Sequence, residues 1–391
     1  MSVLVKFDYS YKNRSSLLDS NMSCSNNASD SALLQGGLDS VGGTLAVFVT
    51  LFDQFVAPVA VIAGLIGNVI ALFVLSERSV RKRSSDIYLV AINAVGVAFL
   101  ACVMLSWINV YKFNGACQTL TYFTYVSSFL DVWYVVGFTV ERYIAVHYPL
   151  RRTSLCTATK ARRTVVLLAV IAGFAYNYVA WTSGVTEPWP GCGRICAPLH
   201  RYAAVLSFVH VVDTVMTLLL PFVIITFLNI RIAVAIFRQN RARQTITAGM
   251  PPPMPIRHLR LVANHDRHRF RLCRYIRNHV RNRRSPHDQL RVTKLLMTVS
   301  VAFLALNLPR HATRAYTLVV FAGDHYQPSL MFVACDKLFN VLYYAHFAIN
   351  VVLYMTVGGT RFRSALRQRC CDLCGWVRAT VLRRATSSAA E

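Results

Sequence analysis

Seven apolar segments recur along the chain, and each is roughly 20 residues or longer, about the length that a helix needs to cross a bilayer core. They occupy 51–76, 86–108, 118–144, 164–184, 201–230, 292–318 and 331–356. The third and seventh segments are the least apolar, and they are assigned from their length and helical context. The pattern predicts an all-α membrane protein built as a seven-transmembrane helix bundle.

Composition and charge agree with this architecture and indicate its orientation. The 391 residues are 55% hydrophobic and carry a formal net charge of +25, which is rare in soluble domains and is expected if the charges lie in loops. With Arg142, Arg310 and Arg314 inside the spans left out, 32 Lys and Arg residues lie on the side that holds the C-terminus and 7 lie on the other side. Because basic loops stay in the cytosol, the N-terminus is predicted to be outside.

Glycosylation sequons support this orientation. Three of them fall early in the chain, at Asn13, Asn21 and Asn27. A sequon is used only in an exposed lumenal segment, so 1–45 is predicted to be an extracellular glycosylated N-terminus. Residues 1–20 lack the apolar core of a cleavable signal peptide, so the first span is expected to act as the signal anchor. The bundle then covers 46–357, and 358–391 lies in the cytosol.

Polar motifs stand at particular places in the spans. The third span ends in "TVERYIAVHYPLRR", where Glu141, Arg142 and Tyr143 lie at the end of the apolar run. The first span contains "GLIGNVIALFVL", the sixth contains "FLALNLP", the seventh contains "NVVLY", and Pro221 lies in the fifth. In this order the motifs resemble those of the rhodopsin-like (class A) G-protein-coupled receptors, over about residues 45–370.

The resemblance implies how such a chain signals. In the family, the arginine of this motif is held at rest by the neighbouring carboxylate, and it meets the G-protein α subunit once the sixth helix swings out. The coupling and switch residues would be Glu141, Arg142, Tyr143, Asn350 and Tyr354. A buried ion pair is costly to break singly, which suits a latch. The alternative is an interfacial ion pair that only anchors the depth of the helix.

The position where the family carries a sodium-binding aspartate in the second helix is Gly96 here. Asp131 in the third span corresponds to a family position beside the same site, and His346 lies one turn before Asn350. Together with Asn68, these residues are predicted to form a buried polar cluster. Its centre is a hydrated Na+, an Asp–His+ pair or a protonated Asp, and no other cofactor or metal is expected. The alternative is a carboxylate that serves packing only.

Further positions depart from the family pattern. Asn307 stands where the family has a tryptophan at the floor of the ligand cavity, and Asn229 and Val351 replace a tyrosine and a proline. "LNLP", "PFVIITFLNI" and "INVVLY" together are similar to invertebrate neuropeptide receptors of the FMRFamide and myosuppressin type. The altered switch positions leave open a receptor-like protein that no longer couples to G proteins.

The resemblance also bears on the ligand class. Thr124 stands where amine receptors need an aspartate, and Tyr344 stands where opsins need a lysine, so amines and retinal are not expected. Asp213 faces the cavity by family register, and Arg310 and Arg314 share a helix face. A carboxylate and two guanidiniums suit a short peptide. Further ligand contacts are predicted from Asn307, Tyr125 and Tyr344. The alternative is an internal ion pair between Asp213 and Arg310 or Arg314.

Cysteines are placed by the same resemblance. Cys117 is expected to pair with a cysteine of the second outer loop, where Cys192 is slightly favoured and Cys196 stays open. The remaining loop cysteine has Cys24 and Cys335 as further partners. "GGTRFRSALRQRCC", within 358–391, is similar to the short amphipathic eighth helix of the family. Its palmitoylation candidates are Cys370, Cys371 and Cys374.

The cytoplasmic loop 238–290 combines a proline run, "AGMPPPMP", with arginines at nearly helical spacing. It is interpreted as a partly disordered spacer against the membrane that meets acidic lipid head groups, a G protein or a calmodulin-like protein. A loop tethered between two membrane helices seldom meets RNA, so no nucleic-acid partner is expected.

These features predict a multi-pass plasma-membrane receptor that binds an extracellular ligand, expected to be a neuropeptide, and activates heterotrimeric G proteins. No phosphate loop, pair of catalytic carboxylates or metal-ligand spacing stands out, so the chain is not expected to be an enzyme. The main alternative is a multi-span transporter or channel, for which internal repeats and an even number of spans are typical.

Overall fold

Seven long helices make up most of the structure. The computed structural model describes residues 41–76, 84–113, 115–186, 194–248, 286–320 and 330–356, together with Leu366. The helices are α1 (Val41–Leu75), α2 (Ser84–Trp107), α3 (Ala116–His147), α4 (Ala158–Ala175), α5 (Ala203–Thr214, a π-helical turn at Val215–Leu219, and Leu220–Ala248), α6 (Pro286–Val320) and α7 (Leu330–Thr356). The predicted bundle of seven helices is confirmed.

The helices extend beyond the apolar runs at most ends, because a helix continues into water after its apolar face has ended. The fourth span differs from its prediction in the other direction. α4 ends at Ala175, a single turn follows at Val179–Thr182, and the chain then becomes a strand where 164–184 was predicted to be helical. The N–H of Leu199 donates to the Thr182 carbonyl oxygen at 2.7 Å, and this bond to a distant segment accompanies the change from helix to strand.

Five segments of the described chain are long and apolar enough to cross a membrane by length and composition. They are Gln54–Leu75, Ser84–Trp107, Ala116–His147, Ala158–Thr182 and Val205–Gln239. α6 and α7 are not among them. Both carry charged side chains in their outer halves, including Arg310 and Arg314 on α6 and Asp336 on α7. The structure places these charges against one another inside the bundle.

α3 is the central helix of the bundle. It packs against α2, α4, α5 and α6, while α1 packs chiefly against α7 and α2. Three apolar clusters fill the interior. The inner one contains Leu75, Tyr88, Phe138, Val299 and Tyr354, the middle one Ile92, Phe129, Tyr134, Ile225 and Phe303, and the outer one Val61, Phe99, Leu100, Tyr344 and Phe347. The polar sites described below lie between these clusters.

A short hairpin covers the outer end of α3. β1 (Ser183–Thr186) pairs with β2 (Ile195–Pro198) in antiparallel register, with Val185 opposite Cys196. This register buries Cys196 over the start of α3, where it forms a disulfide with Cys117. The preference for Cys192 as the partner of Cys117 was therefore wrong, and the alternative that the sequence left open is the one observed. Cys192 itself lies outside the described residues.

A π-helical turn interrupts α5 just before Pro221. The N–H of Leu220 bonds to the Val215 carbonyl oxygen, five residues back, instead of to that of Met216. The freed Met216 carbonyl oxygen accepts a hydrogen bond of 3.1 Å from the Trp133 indole N–H on α3. A π-turn contains an extra residue and so changes which face the outer half of the helix turns inward. Here the inward face carries Asp213.

Several predicted features lie outside the described residues. They are the sequons at Asn13, Asn21 and Asn27, Cys24, the palmitoylation candidates Cys370, Cys371 and Cys374, and most of the basic loop 238–290. Leu366 is the described residue of the predicted eighth helix, and it packs against the inner apolar cluster.

Candidate functional site

The inner end of the bundle contains the predicted ion pair. Nη2 of Arg142 lies 3.1 Å from Oε1 of Glu141, and the two residues are only 5% and 8% exposed. The guanidinium also lies over the ring of Phe138, 5.9 Å from its centroid. Removing either charge would leave the other buried without its counter-charge, so the pair is held in place by the cost of breaking it.

Two further groups, which the sequence did not indicate, also bond to Glu141. The Ser84 hydroxyl at the start of α2 donates to Oε1 of Glu141 at 2.6 Å. The Cys156 thiol, between α3 and α4, donates to the Glu141 backbone carbonyl oxygen at 3.8 Å. Burial and the nearby Glu141 carboxylate raise the pKa of the Cys156 thiol, which keeps it protonated as a donor. Ser84 is 57 residues from Glu141 in sequence, so no local pattern signals the contact.

The seventh-helix residues lie close to the same inner end. Tyr354 is buried in the inner apolar cluster, and its hydroxyl accepts a hydrogen bond of 3.1 Å from the Asn93 side-chain amide on α2. Asn350, one turn further out, lines a small buried cavity together with Asp131 and His346. Asn93 was not singled out from the sequence, because one polar residue in an apolar helix is an ordinary observation.

Asp131 and His346 form the centre of the buried polar cluster. Oδ2 of Asp131 lies 2.9 Å from Nε2 of His346, and both residues are buried. Nδ1 of His346 lies 3.1 Å from the Tyr343 carbonyl oxygen, which can only accept, so this nitrogen carries a hydrogen. A proton on either Nε2 or Oδ2 makes this contact a hydrogen bond. The geometry is that of an Asp–His pair that shares a proton.

The space beside this pair can be compared with the size of a hydrated sodium ion. Oδ1 of Asp131 is buried and has no hydrogen-bond partner among the described residues, and Asp131 lines a cavity of about 10 Å3. This is close to the smallest volume that holds one water molecule. His346 already occupies the other carboxylate oxygen. A sodium ion with its shell of water therefore does not fit these residues as they are arranged.

Asn68, the fourth predicted member of the cluster, bonds to the helix backbone instead. Its side-chain amide donates to the carbonyl oxygens of Gly64 and Phe347, at 2.7 and 2.9 Å. A Cβ added to Gly96 would lie 3.0 Å from Oδ1 of Asn68, so Asn68 fills the space that a larger residue at position 96 would need. The structure thus brings together Asp131, His346 and Asn350, with Asn68 linking α1 to α7 nearby.

The outer half of the bundle brings the predicted charges together with partners that the sequence missed. Nη2 of Arg314 on α6 lies 2.5 Å from Oδ2 of Asp213 on α5. The Tyr176 hydroxyl, at the end of α4, donates to the other carboxylate oxygen of Asp213. Of the two internal pairs considered from the sequence, Asp213–Arg314 is the one observed. It joins α5 and α6, and through Tyr176 also α4.

Arg310, one turn further in on α6, pairs in the opposite direction. Its Nη1 bonds to Oδ1 of Asp336 on α7, and the Thr313 hydroxyl donates to the same oxygen at 2.9 Å. Arg310 is 3% exposed, yet its Nε and Nη2 have no hydrogen-bond partner within the described chain. A buried guanidinium with donors to spare is a site that favours an acceptor such as a carboxylate or an amide carbonyl.

The three remaining predicted ligand contacts, Tyr125, Asn307 and Tyr344, lie in three different surroundings. Tyr125 stacks on Tyr176 at a centroid distance of 5.8 Å, and so belongs to the group around Asp213. Asn307 is buried and donates to the Phe303 carbonyl oxygen at 2.8 Å, with its own carbonyl oxygen unpaired in the described part. Tyr344 packs instead against Phe99 and Trp107 in the outer apolar cluster.

The fold and these inner and outer sites can be set beside known families. The family model "7 transmembrane receptor (rhodopsin family)" matches residues 67–354, which is well over half of the chain. The chain belongs to the rhodopsin family of seven-transmembrane receptors. The rhodopsin-family match confirms the resemblance read from the motifs, and the family is one of G-protein-coupled receptors, not of enzymes. The alternative of a transporter or channel is set aside, and the protein is a multi-pass membrane protein.

Several curated receptors resemble this rhodopsin-family member over different lengths. The thyrotropin-releasing hormone receptor of Bos taurus is 23% identical over 336 residues, which cover 78% of this chain and 75% of that receptor. The FMRFamide receptor of Drosophila melanogaster is 24% identical over 48% of this chain and 38% of its own length. The FMRFamide peptide receptor frpr-18 of Caenorhabditis elegans is 24% identical over 48% and 47%.

Proposed function

We propose that this rhodopsin-family receptor binds a short peptide in the outer half of its bundle and activates a heterotrimeric G protein at the plasma membrane. The proposal rests on two ion pairs that join α6 to its neighbours. Arg314 pairs with Asp213 on α5, and Arg310 pairs with Asp336 on α7. A peptide has charged groups of both signs and many amide carbonyls, and these are the groups that can replace or extend such pairs.

Relatives support the ligand class. Two of the kinds of receptor that resemble the chain are named for peptides, thyrotropin-releasing hormone and FMRFamide. Their identities of 23–24% leave the particular peptide open. The class of ligand is therefore drawn from the residues of the cavity, and the names agree with it.

The internal ion pairs give the ligand a means of moving α6. Each pair ties α6 to a neighbour, one to α5 and one to α7. A ligand carboxylate or carbonyl that accepts from Nε and Nη2 of Arg310 competes with Asp336, and a ligand cation competes with Arg314 for Asp213. A ligand shifts a conformational equilibrium only through contacts that differ between the states. Exchange of these pairs supplies such a difference.

At the inner end the same movement acts on Arg142. At rest its charge is satisfied by Glu141, and the hydroxyls of Thr139 on α3 and Ser300 on α6 lie 3.1 Å apart. Outward movement of α6 separates Thr139 from Ser300 and opens the inner mouth, where Arg142 exchanges Glu141 for the G protein. The Asp131–His346 pair lies between the two ends and holds α3 against α7, without a sodium ion, while this happens.

A neuropeptide library applied to cells that express the full chain, with calcium and cAMP both recorded, tests the proposal. Asp213→Ala and Arg310→Ala are expected to lower the potency of the active peptide by about tenfold or more, as loss of a charge-assisted contact implies. Arg194→Ala, which removes an exposed arginine in the outer loop, is the matched control. Equal potency at all three variants would contradict the assigned cavity.

Arg142→Ala distinguishes a coupled receptor from a receptor-like protein without G-protein signalling. It is expected to abolish the calcium or cAMP response while labelled peptide still binds at the cell surface. Peptide binding without any response in the unmodified chain would support the non-coupling alternative instead.

A further inference from the structure

A second cavity lies on the flank of the bundle, apart from the residues around Asp213 and Arg310. It has a volume of about 500 Å3, within the range typical of ligand sites. Its walls come from the start of α3, the end of the α4 span, β1 and the turn before α5. Its lining residues include Trp181, Arg201 and Tyr202. None of the residues assigned to peptide binding or G-protein coupling lines it.

Its depth relative to the membrane follows from the neighbouring spans. The apolar span Ala158–Thr182 ends one residue beyond Trp181, and the span Val205–Gln239 begins just after Arg201 and Tyr202. Both walls therefore meet at the level where hydrocarbon gives way to head groups. Trp and Tyr are enriched at that level, since each has an apolar ring and a polar group. The disulfide between Cys117 and Cys196 is at the same end of the bundle, which the sequence assigns to the outer side.

The side chains in this cavity are suited to two groups of opposite charge. The guanidinium of Arg201 is exposed and lies 4.8 Å from the centroid of the Tyr202 ring. This stacking orients the planar fork while its edge stays available, and the fork matches the geometry of a phosphate. Trp181 is 66% exposed and offers the aromatic face that best attracts a quaternary ammonium ion.

Apolar surface continues from the cavity into the membrane. On α5, Val205, Phe208 and Val212 are exposed and share one helix face, and α5 begins two residues after Arg201. On the α4 side, Phe174 is exposed near the end of α4, seven residues before Trp181. A molecule held at Arg201 by its head would thus have apolar side chains below it for its tails.

We infer that this cavity binds a choline phospholipid of the outer leaflet, with its phosphate on Arg201, its trimethylammonium group against Trp181 and its acyl chains along Val205 and Phe208. Charge complementarity and position select this occupant. A peptide or soluble anion would use the head-group contacts alone and leave the apolar stripe unused. The inference concerns the bundle at rest and does not depend on the identity of the receptor's ligand.

Native mass spectrometry of the full chain in mild detergent, titrated with phosphatidylcholine, tests the inference. The unmodified chain is expected to retain one lipid that Arg201→Ala and Trp181→Ala each weaken by about tenfold or more, as loss of a charge-assisted contact or a desolvated aromatic contact implies. Arg194→Ala and Phe55→Ala are the matched controls, since Phe55 on α1 is 65% exposed and faces lipid elsewhere. Both are expected to bind like the unmodified chain.

Two probes separate the possible sources of binding. Dioleoylglycerol, which lacks the phosphate, is expected not to bind at this site, and glycerophosphocholine, which lacks the chains, is expected to compete at least tenfold more weakly than the lipid. Competition by glycerophosphocholine as strong as that of the lipid would overturn the inference in favour of a soluble phosphate ester. Retention unchanged in Arg201→Ala and in a second variant, Arg201→Gln, would overturn it altogether. Neither result would bear on peptide binding, because no agonist is present.

Discussion

Under the proposed function, the Glu141–Arg142 ion pair holds the resting state at the scale of individual residues. Both side chains have little contact with water, and Glu141 also accepts from Ser84. Breaking one partner of a buried pair costs about 3–5 kcal/mol, because the remaining charge stays buried alone. Arg142 without Glu141 would therefore favour any arrangement that gives it another acceptor, such as the one met in a bound G protein.

Glu141→Gln is accordingly expected to raise signalling in the absence of ligand. The amide keeps the shape and a hydrogen-bond acceptor but loses the charge that holds Arg142. A shift of about 1 kcal/mol in the resting equilibrium would raise basal activity roughly fivefold, measured as cAMP or calcium at equal surface display. The double variant Glu141→Gln with Arg142→Ala is expected to be silent.

A substitution at Ser84 tests the same ion pair with a smaller expected effect. Ser84→Ala removes one neutral donor to the carboxylate, so a smaller rise in basal activity is expected than with Glu141→Gln. Ser85→Ala leaves that hydrogen bond in place and is the matched control. Basal activity that falls in Glu141→Gln would contradict the role of the pair as a latch.

Asp131 and His346 are expected to be coupled in stability, because each satisfies the other within the membrane. Asp131→Asn and His346→Ala should each lower the thermal stability of the purified receptor, and the double variant should lose less than the sum of the two. A coupling energy of about 1 kcal/mol or more is expected for groups in direct contact. Additive losses would show that the 2.9 Å contact contributes nothing.

Sodium provides a separate measurement on the same pair. Agonist affinity of the unmodified receptor is expected to stay the same when NaCl is replaced by KCl, because the space beside Asp131 is too small for a hydrated ion. A tenfold change on this exchange would contradict the arrangement described. His346→Ala serves as the comparison, since it enlarges the space and frees both carboxylate oxygens.

At the scale of residues, the sequence indicates which buried charges are candidates for a site, but it does not indicate which side chains pair with them. Arg310, Arg314 and Asp213 stand out because charges in apolar helices are rare. Asp336 and Tyr176 do not stand out, since the first lies near a helix mouth and the second in an ordinary apolar helix. Asp336 is 26 residues from Arg310 and Tyr176 is 37 from Asp213, and only the fold relates such positions.

Among the elements, the hairpin over α3 combines local structure with a covalent bond. β1 and β2 form only a four-residue ladder, and a hairpin of that length is marginal by itself. The disulfide ties β2 to the first turn of α3, and a native disulfide typically contributes about 2–5 kcal/mol. The cover of the outer end of α3 therefore depends on that bond.

Cys196→Ser is expected to reduce surface display and agonist potency, and Cys117→Ser is expected to do so equally. The double variant should be no worse than either one, because each single change already removes the same bond. Cys335→Ser, at a cysteine that is free in the structure, is the matched control. Surface display by flow cytometry and a dose–response curve would suffice. A double variant that is much worse than either single one would indicate separate roles.

Helices were easier to predict than this hairpin for a physical reason. A span can be recognised from about 20 consecutive apolar residues, because a helix needs that length to cross the bilayer core. The strands consist of four residues each, and their register depends on which cysteine meets Cys117. Cys192 and Cys196 differ by only four positions, so sequence spacing gave no reliable choice between them.

At the scale of the whole molecule, seven spans are an odd number and predict that the two ends of the chain lie on opposite sides of the membrane. An N-terminal tag is expected to be labelled on intact cells, and a C-terminal tag only after permeabilisation. Removal of N-linked glycans should reduce the apparent mass, and Asn13, Asn21 and Asn27 changed together to Gln should abolish that shift. Both tags accessible on the same side would contradict the topology.

Buried polar residues also occur along the whole length of the bundle. Asn93, Asp131, Asn307 and Asn350 are all buried, between apolar clusters that exclude water. Low dielectric makes each unpaired group costly, and so favours arrangements in which such groups find partners.

The π-helical turn divides α5 into an outer and a cytoplasmic half. Inserting or deleting one residue at this turn would rotate one half relative to the other. An α-helix rotates by about 100° per residue, so loss of one codon between Val215 and Leu219 would swing Asp213 away from α6 and leave the cytoplasmic half in place. A receptor descended from such a deletion would keep its G protein and bind a different ligand. Single-codon insertions and deletions at this point give evolution a route to new specificities that point substitutions lack.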